Sequence, residues 1–548
     1  MLSKIPLLRT PHFRPASTSV LTYQKLSSLY YPVRPFLNFR TMATEYDAII
    51  IGSGQAGTPL AGALAKAGHK TALIERTHIG GCCVNEGCTP TKTMVASGRA
   101  AYLARRGQDY GVHTRERISD DNQTKVALDL EGDGPEGLEE VGVESGKKVV
   151  TEVYVDMAKV RQRKRDIVKS FRSGNEARTQ SAGVDVLMGD ASFTSPNTLK
   201  VVMKDGTEKV VEGKKIFINV GERPAPPKLE GLQSLDPGRV LDSTSIQELD
   251  EVPTHLIVIG GGYVGVEFAQ LFRRLGAEVT ILQHGKQLLG REDKEVADCL
   301  KDILVEDGLT ILLESEALGV KSSEPGSFDL VIQTKGKEEV IHGTHLLFAA
   351  GRIPNSETLG LEVAGIKVNE RGYIEANELL ETSAKDVYVL GDVKGPPAFT
   401  HISYDDFRII RANIIDSPTA STKLSTKNRL VPYVVYTDPQ LGHIGLHEHE
   451  ARSLYPNNPT RIKVAKMPMS YVARALETDE SRGMMKAVVD GETGLILGFT
   501  CLGIEGGEVM AVVQMAIMGN VGWERLRDAV WAHPSLAESL NNLWGFLE

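Results

Sequence analysis

Two glycine-rich turns, each following a short apolar run and opening a small-residue helix, restrict this chain more than any other feature. Residues 46–51 (Tyr-Asp-Ala-Ile-Ile-Ile) lead into Gly52-x-Gly54-x-x-Gly57. A Gly/Ala-rich amphipathic stretch follows to Gly68, then a second apolar run from Thr71 to Glu75. The same order recurs at His255–Ile259, Gly260-x-Gly262-x-x-Gly265 and Glu278–Leu282. In such a β-α-β unit the first glycine permits the tight turn and the second lets the backbone approach a pyrophosphate. The third lets the helix pack on the strand, and the helix N-terminus faces the phosphates. Two units predict an α/β chain with two doubly wound, Rossmann-type dinucleotide-binding domains.

The two units differ at the end of their second strand. Glu75 closes the first, 18 residues past Gly57, where a carboxylate holds a ribose diol. In the second, the strand runs into Gln283-His284-Gly285-Lys286, with no carboxylate at the expected place. A basic side chain there suits a 2′-phosphate, which favours NADPH. If Gln283 instead bonds the ribose hydroxyls, NADH serves as well.

Composition removes several other classes. The 548 residues carry 62 Lys+Arg against 71 Asp+Glu, a formal net charge of −9, so nucleic-acid binding is not expected. No run of 18 apolar residues occurs, so no membrane partner is expected either. Five cysteines are too few for a disulfide-stapled secreted scaffold. Residues 1–44 hold six basic and no acidic residues. They read either as a mitochondrial transit peptide or as an untargeted extension ahead of a start at Met42, giving a mitochondrial or a cytoplasmic protein. Residues 116–144 hold ten acidic and two basic residues and read as a solvated loop insert. Residues 157–181 read as a basic helix. Asp185–Asp190, Thr198–Lys204 and Lys214–Val220 alternate like strands. The last stretch mixes strands (Tyr433–Tyr436, Lys486–Val489, Leu495–Cys501) with helices (Gly507–Met518, Trp523–Ala529), an α+β domain.

Between the first unit and the next helix lies Gly80-Gly-Cys-Cys-Val-Asn-Glu-Gly-Cys-Thr-Pro-Thr-Lys92. Cys83 and Cys88 lack zinc spacing, no second Cys or His pair matches them, and no metal centre is expected. Their separation fits one turn of a distorted helix, which brings the sulfurs within bonding distance. A thiolate at a helix N-terminus has a lowered pKa. Beside a flavin, such a dithiol accepts two electrons and passes them on.

On these motifs the chain resembles the class I pyridine nucleotide-disulfide oxidoreductases, a family that includes lipoamide dehydrogenase, glutathione reductase, mercuric reductase and the bacterial flavoprotein of reactive-chlorine resistance. The resemblance covers nearly all of residues 46–548. It rests on Cys83-Val-Asn-Glu-Gly-Cys88-x-Pro-x-Lys92, on Gly391-Asp392 after the strand Val387–Leu390, on Gly351-Arg-Ile-Pro-Asn355, and on His533-Pro-Ser-Leu-Ala-Glu538. It implies FAD and NADPH (or NADH) as cofactors, a homodimer, and a small disulfide or a metal ion as acceptor. Cys83 would be the interchange thiol and Cys88 the thiol against the flavin. Lys92 and Glu267 would be an ion pair beside flavin N5. Tyr263 would cover the nicotinamide pocket, and His533, oriented by Glu538, would come from the partner subunit. Ser53, Gly54, Glu75, Cys82, Cys83, Lys92, Ala191, Asp392 and Thr400 fall on FAD contacts, with Gly391 beside them. Gly261, Val264 and Glu267 fall on nicotinamide contacts, and Gly351 marks the return from that domain. The implied layout is an FAD-binding domain over 45–225, an NAD(P)-binding domain over 226–347, a central region over 348–426 that completes the FAD site, and an interface domain over 427–548.

The chain also departs from its relatives. Cys82 stands where most of them have Thr. Gly62 replaces a substrate arginine of glutathione reductases, although Arg408 matches another. Mercuric reductases carry a vicinal cysteine pair at the C-terminus, and here no cysteine follows Cys501.

Overall fold

The computed structural model describes residues 43–112, 153–419 and 421–548. The leader up to residue 42 and the acidic insert 116–144 lie outside the described residues. Thr44, assigned above to the leader, belongs to the fold: it opens the first strand, Thr44–Ile51, and pairs with Val211.

That strand is buried on both faces beyond Asp47, as an apolar run in a parallel sheet must be. It lies between Thr71–Glu75 on one side (Ala48 opposite Thr71) and Glu208–Ile218 on the other (Ile49 opposite Ile216). Asp185–Ser195 continues the parallel sheet beyond Thr71–Glu75, and Val387–Val389 closes the far edge beside Ile216–Ile218. Two of the expected strand boundaries need correction here. Asp185–Ser195 runs past Asp190, and the next long strand spans Glu208–Ile218 rather than starting at Lys214. The cause is a three-stranded antiparallel excursion through Thr198–Met203. It uses the distal half of one strand and the proximal half of the other.

The second sheet is wholly parallel, in the order Thr310–Leu313, Glu278–Gln283, His255–Ile259, His345–Phe348, Val240–Leu241. The third is antiparallel and has five strands, with Ile496–Gly503 between Gln440–Gly445 and Met484–Asp490. The helix Gly506–Met518 follows it. Two Rossmann-type sheets plus a C-terminal α+β unit match the fold class read from the sequence. Among the described residues no helix is long and apolar enough to cross a membrane.

Four helices frame the first glycine turn and the cysteines. α1 (Gly57–Lys66) follows the first glycine turn, α2 (Gly81–Asn85) and α3 (Cys88–Arg105) carry the cysteines, and α4 (Met157–Ser181) packs against α3. α4 is the expected basic helix, and Asp156 caps it by accepting the Lys159 N–H at 2.9 Å.

The first glycine turn is pinned by Asn219. Its Oδ1 accepts the Gly57 N–H at 2.8 Å, and its Nδ2 donates to the Leu390 carbonyl at 2.9 Å. A Cβ on Gly57 would lie 2.2 Å from the Gly52 carbonyl oxygen. Backbone cannot yield as a side chain does, so overpacking here is costly. We expect Gly57→Ala to lose about 1–3 kcal/mol, read as a lower urea midpoint, together with a lower flavin-to-protein absorbance ratio.

Candidate active site

After Glu75 the chain turns through Gly80 (φ 111°) and Gly81 (φ 66°), left-handed geometry that glycine alone adopts cheaply. It then forms α2, which ends when the N–H groups of Glu86 and Gly87 both donate to the Cys82 carbonyl (2.8 and 2.7 Å). α3 begins at the next residue. Cys83 and Cys88 therefore do not share one distorted turn, as the spacing suggested. They sit on two short-coupled helices with the break at Gly87, and Cys88 is the first residue of an 18-residue helix.

Both cysteines are free thiols in this structure. Cys88 Sγ lies 3.3 Å from the Thr400 hydroxyl, at the first residue of the helix Thr400–Ile410. Its thiol is pulled down to about 6, chiefly by the hydrogen bond from Cys83 and further by Thr400 and the Lys92 charge. Cys83, as the donor of that bond and half-buried, is pushed up. The surroundings of Cys88, at the start of α3 with the Thr400 hydroxyl at 3.3 Å, favour the thiolate there.

Lys92 Nζ lies 2.6 Å from Glu267 Oε2. Lys92 is on α3 and Glu267 on α5 (Tyr263–Leu275), the helix of the second glycine turn. Burial opposes the Lys92 charge, but Glu267 more than offsets it and holds the ammonium above its usual range. Glu267 Oε1 accepts the Tyr436 N–H at 2.7 Å, and the Tyr436 ring lies 4.7 Å from Lys92 Nζ.

One cleft extends from Gly52, Ser53 and Gly54 past Glu75, Ala191 and Asp392 to Cys82, Cys83 and Thr400. Gly57, Cys88, Lys92 and Gly391 are not in its lining. Gly391 is a backbone requirement: its φ is 72°, and its N–H donates to Asp406 at 2.8 Å. The cleft suits a long dinucleotide. The first N–H groups of α1 are already taken, Gly57 by Asn219, Thr58 by the Gly54 carbonyl and Leu60 by the Ala56 carbonyl, and Pro59 has none, so a diphosphate would meet the glycine turn just ahead of the helix. Glu75 already clamps the glycine turn, because Oε2 accepts the Ser53 N–H (3.0 Å) and hydroxyl (2.6 Å). Asp392, held above the usual carboxylate range by burial, accepts the Ser403 hydroxyl at 3.3 Å.

The second glycine turn repeats the arrangement. α5 starts at Tyr263 after Gly262, without a side-chain cap, and a Cβ on Gly265 would lie 1.9 Å from the Gly260 carbonyl oxygen. Gln283 Oε1 accepts the Gly261 N–H at 2.9 Å and Nε2 donates to the Gln287 carbonyl at 3.2 Å, so this side chain shapes the loop. His284 and Lys286 beside it are exposed, and Val264 is half-buried. Gly351 (φ 150°) has open space around its Cα. His533 and Glu538 pair with each other at 2.9 Å on the C-terminal segment, with the His533 side chain 67% exposed.

Three contributors escaped the sequence reading. Arg352 places Nη2 3.5 Å from Cys82 Sγ and 2.9 Å from the Glu222 carbonyl. Burial pushes the Cys82 thiol up and Arg352 opposes it. Arg352 sits inside the Gly351-Arg-Ile-Pro motif, so the signal was present. Asn219 directly follows the strand Glu208–Ile218, but nothing local marks it as the support of a distant glycine turn. Tyr436 acts partly through its backbone N–H, which no sequence pattern displays.

A family model described as pyridine nucleotide-disulphide oxidoreductase matches residues 46–406, and that family's dimerisation domain matches residues 431–543. The chain is 34% identical over 507 residues to a protein described as a probable pyridine nucleotide-disulfide oxidoreductase, RclA of Escherichia coli, covering 92% of this chain and all of that one. It is 31% identical to a mercuric reductase of Staphylococcus aureus (90% of this chain, 81% of the relative). It is 31% identical to a dihydrolipoyl dehydrogenase of Thermus scotoductus (90% and 96%). Among solved structures, the Cu(II) complex of the HOCl-induced flavoprotein disulfide reductase RclA from Escherichia coli superposes with a TM-score of 0.76 at 33% identity, covering 92% of this chain and 99% of that one.

The charge distribution over the dithiol gives a direct test. In the reduced protein, alkylation of Cys88 by iodoacetamide should rise with pH through a midpoint near 6. Thr400→Val and Lys92→Met should each move that midpoint upward, since each removes a group that favours the thiolate. An unchanged midpoint in both variants contradicts the assignment.

Proposed function

The chain belongs to the pyridine nucleotide-disulphide oxidoreductase family, and on that footing we propose that it passes electrons from NADPH through Cys83 and Cys88 to a disulfide. It is an FAD-dependent oxidoreductase with NAD(P)H as donor, and its dimerisation domain makes it a homodimer. FAD, when bound, supplies the two-electron link between the nicotinamide and the dithiol. The proposed layout is FAD binding over 45–225, NAD(P) binding over 226–347, completion of the FAD site over 348–426 and the interface over 427–548. Ser53, Gly54, Glu75, Ala191, Asp392 and Thr400 would hold FAD, and the Gly260–Gly265 turn would hold NADPH.

The observation that carries the proposal is the setting of the dithiol: Cys88 opens α3 and meets the Thr400 hydroxyl at 3.3 Å, with Lys92 on the same helix paired to Glu267. That setting favours the thiolate on Cys88 and leaves Cys83 the protonated partner. Cys83, once its proton passes to His533 of the partner subunit, attacks one sulfur of the acceptor. A mixed disulfide forms and the first acceptor thiol leaves, protonated by that His533. The Cys88 thiolate then attacks Cys83 Sγ, closing the Cys83–Cys88 disulfide and releasing the second acceptor sulfur as a thiolate, which takes its proton from water. Glu538, 2.9 Å from His533 Nδ1, fixes the ring so that the other nitrogen handles the proton. Exposed Lys286 and His284 beside the second glycine turn support NADPH over NADH.

One observation favours a second reading, reduction of a metal ion. Cys82 lines the cleft together with Cys83, adding a thiol beside the Cys83–Cys88 pair, and soft thiolates select soft metals. The relatives named as a mercuric reductase and as a Cu(II) complex agree with it. The relatives named above are bacterial, and a mitochondrial location rests on the composition of residues 1–44 alone.

An NADPH-oxidation screen with lipoamide, glutathione disulfide, Hg(II) and Cu(II) separates the two readings. Cys83→Ser should reduce turnover with every acceptor to background. His533→Ala should slow disulfide reduction by about 10²–10⁴-fold. Metal reduction that survives His533→Ala supports the second reading. Lys286→Glu should cost about tenfold in the preference for NADPH over NADH.

A further inference from the structure

Glu292 lies beyond the strand Glu278–Gln283 and is 4% exposed. A carboxylate so buried needs partners. One oxygen has two: Oε1 accepts the Tyr263 hydroxyl at 3.1 Å and the Tyr433 hydroxyl at 2.6 Å. Oε2 has none among the described residues. The two tyrosine rings lie 5.5 Å apart. Phe399 stacks on Tyr433 at 5.6 Å, and the next residue is Thr400, whose hydroxyl meets Cys88.

Glu292, His443 and His447 each place a ligand atom within 4.8 Å of the others, a spacing that a buried cation site would share. The two imidazoles, however, stack face to face at 4.0 Å and 16°. Their in-plane lone pairs then run side by side and do not meet at one ion. Both His443 nitrogens also have partners already, the Thr500 hydroxyl and the Gly445 carbonyl. The histidines therefore form a rigid wall, His443 packing 4.9 Å from the Tyr433 ring.

We propose that Glu292 is a positioning residue that latches Tyr263 across the nicotinamide pocket, with Tyr433 as the fixed second donor. The proposal rests on the reading that Tyr263 covers that pocket. The shared acceptor explains how the latch opens. When Tyr263 leaves, Tyr433 still holds Oε1, so the buried carboxylate is not stripped of donors. The closed ring competes with the nicotinamide, and the strength of the latch lowers the apparent affinity for the dinucleotide.

The test is NADP⁺ affinity, followed by flavin fluorescence in the holoenzyme, with thermal midpoints to establish folding. Tyr263→Phe, which keeps the ring, and Glu292→Ala should each bind NADP⁺ about tenfold more tightly, with no further gain in the double variant. Glu292→Gln, which keeps an acceptor oxygen, should return the affinity towards that of the parent. Tyr433→Phe should have the opposite sign, weaker binding, because Tyr263 then becomes the sole donor to the carboxylate. Loss of packing alone would not reverse sign between neighbours. If Tyr263→Ala tightens binding while Tyr263→Phe and Glu292→Ala do not, the latch is wrong and the covering role of Tyr263 stands. If Tyr263→Ala also changes nothing, the covering role fails and the latch with it. Tyr433→Phe binding as tightly as the parent, or more tightly, overturns the shared acceptor.

Discussion

The ion pair between Lys92 and Glu267 is where three parts of the molecule meet. Lys92 comes from the helix that Cys88 begins, Glu267 from the helix of the second glycine turn, and the backbone N–H of Tyr436 from the strand end that opens the C-terminal sheet. A partly buried pair of this kind contributes little net stability, because desolvation offsets most of the Coulomb attraction. Losing one partner is costly, since it strands a charge. The pair therefore acts as a registration device: only one placement of α3 against α5 satisfies both charges. The same contact sets where Lys92 stands relative to the dithiol, whose thiolate it helps to stabilise.

Around that pair the helices pack through a continuous core. Met94 of α3, Met157 of α4, Val266, Phe268 and Leu271 of α5 and Tyr433, Val435, Leu441 and Leu502 of the C-terminal sheet belong to one buried cluster. A Cβ on Gly98 would lie 2.8 Å from Leu271, which brings α3 close to α5. Asp438 adds a second polar tie, with Arg99 on α3 and Arg274 on α5 both paired to it. The site is rigid because its supports come from every unit. The proposed latch at Tyr263, Glu292 and Tyr433 lies along the same seam, where a small rearrangement is felt in both cofactor regions.

How much of this could be read in advance depended on whether the cause was local. The glycine turns, the strand ends carrying Glu75 and Gln283, and the helix over residues 157–181 follow from backbone constraints and periodicity within a few residues. The break at Gly87 was not readable, because a spacing of five positions fits one continuous turn as well as two abutting helices. The outcome turned on two N–H groups converging on the Cys82 carbonyl. The strand ends were misplaced where an antiparallel excursion shares its strands with the parallel sheet, since pairing across the sheet leaves no local mark.

The sequence by itself determined the two dinucleotide units, the pair of cysteines and the family they belong to. Each of these is a demand on the backbone or on the chemistry of adjacent residues, written where it acts. Tertiary structure alone decided that Cys88 meets the Thr400 hydroxyl, that Arg352 faces Cys82, that Asn219 supports a turn 162 residues away, and that one oxygen of Glu292 takes two tyrosine hydroxyls. These are matters of burial and of partners distant in the chain, and the energy of a buried polar group is set by what surrounds it rather than by what precedes it.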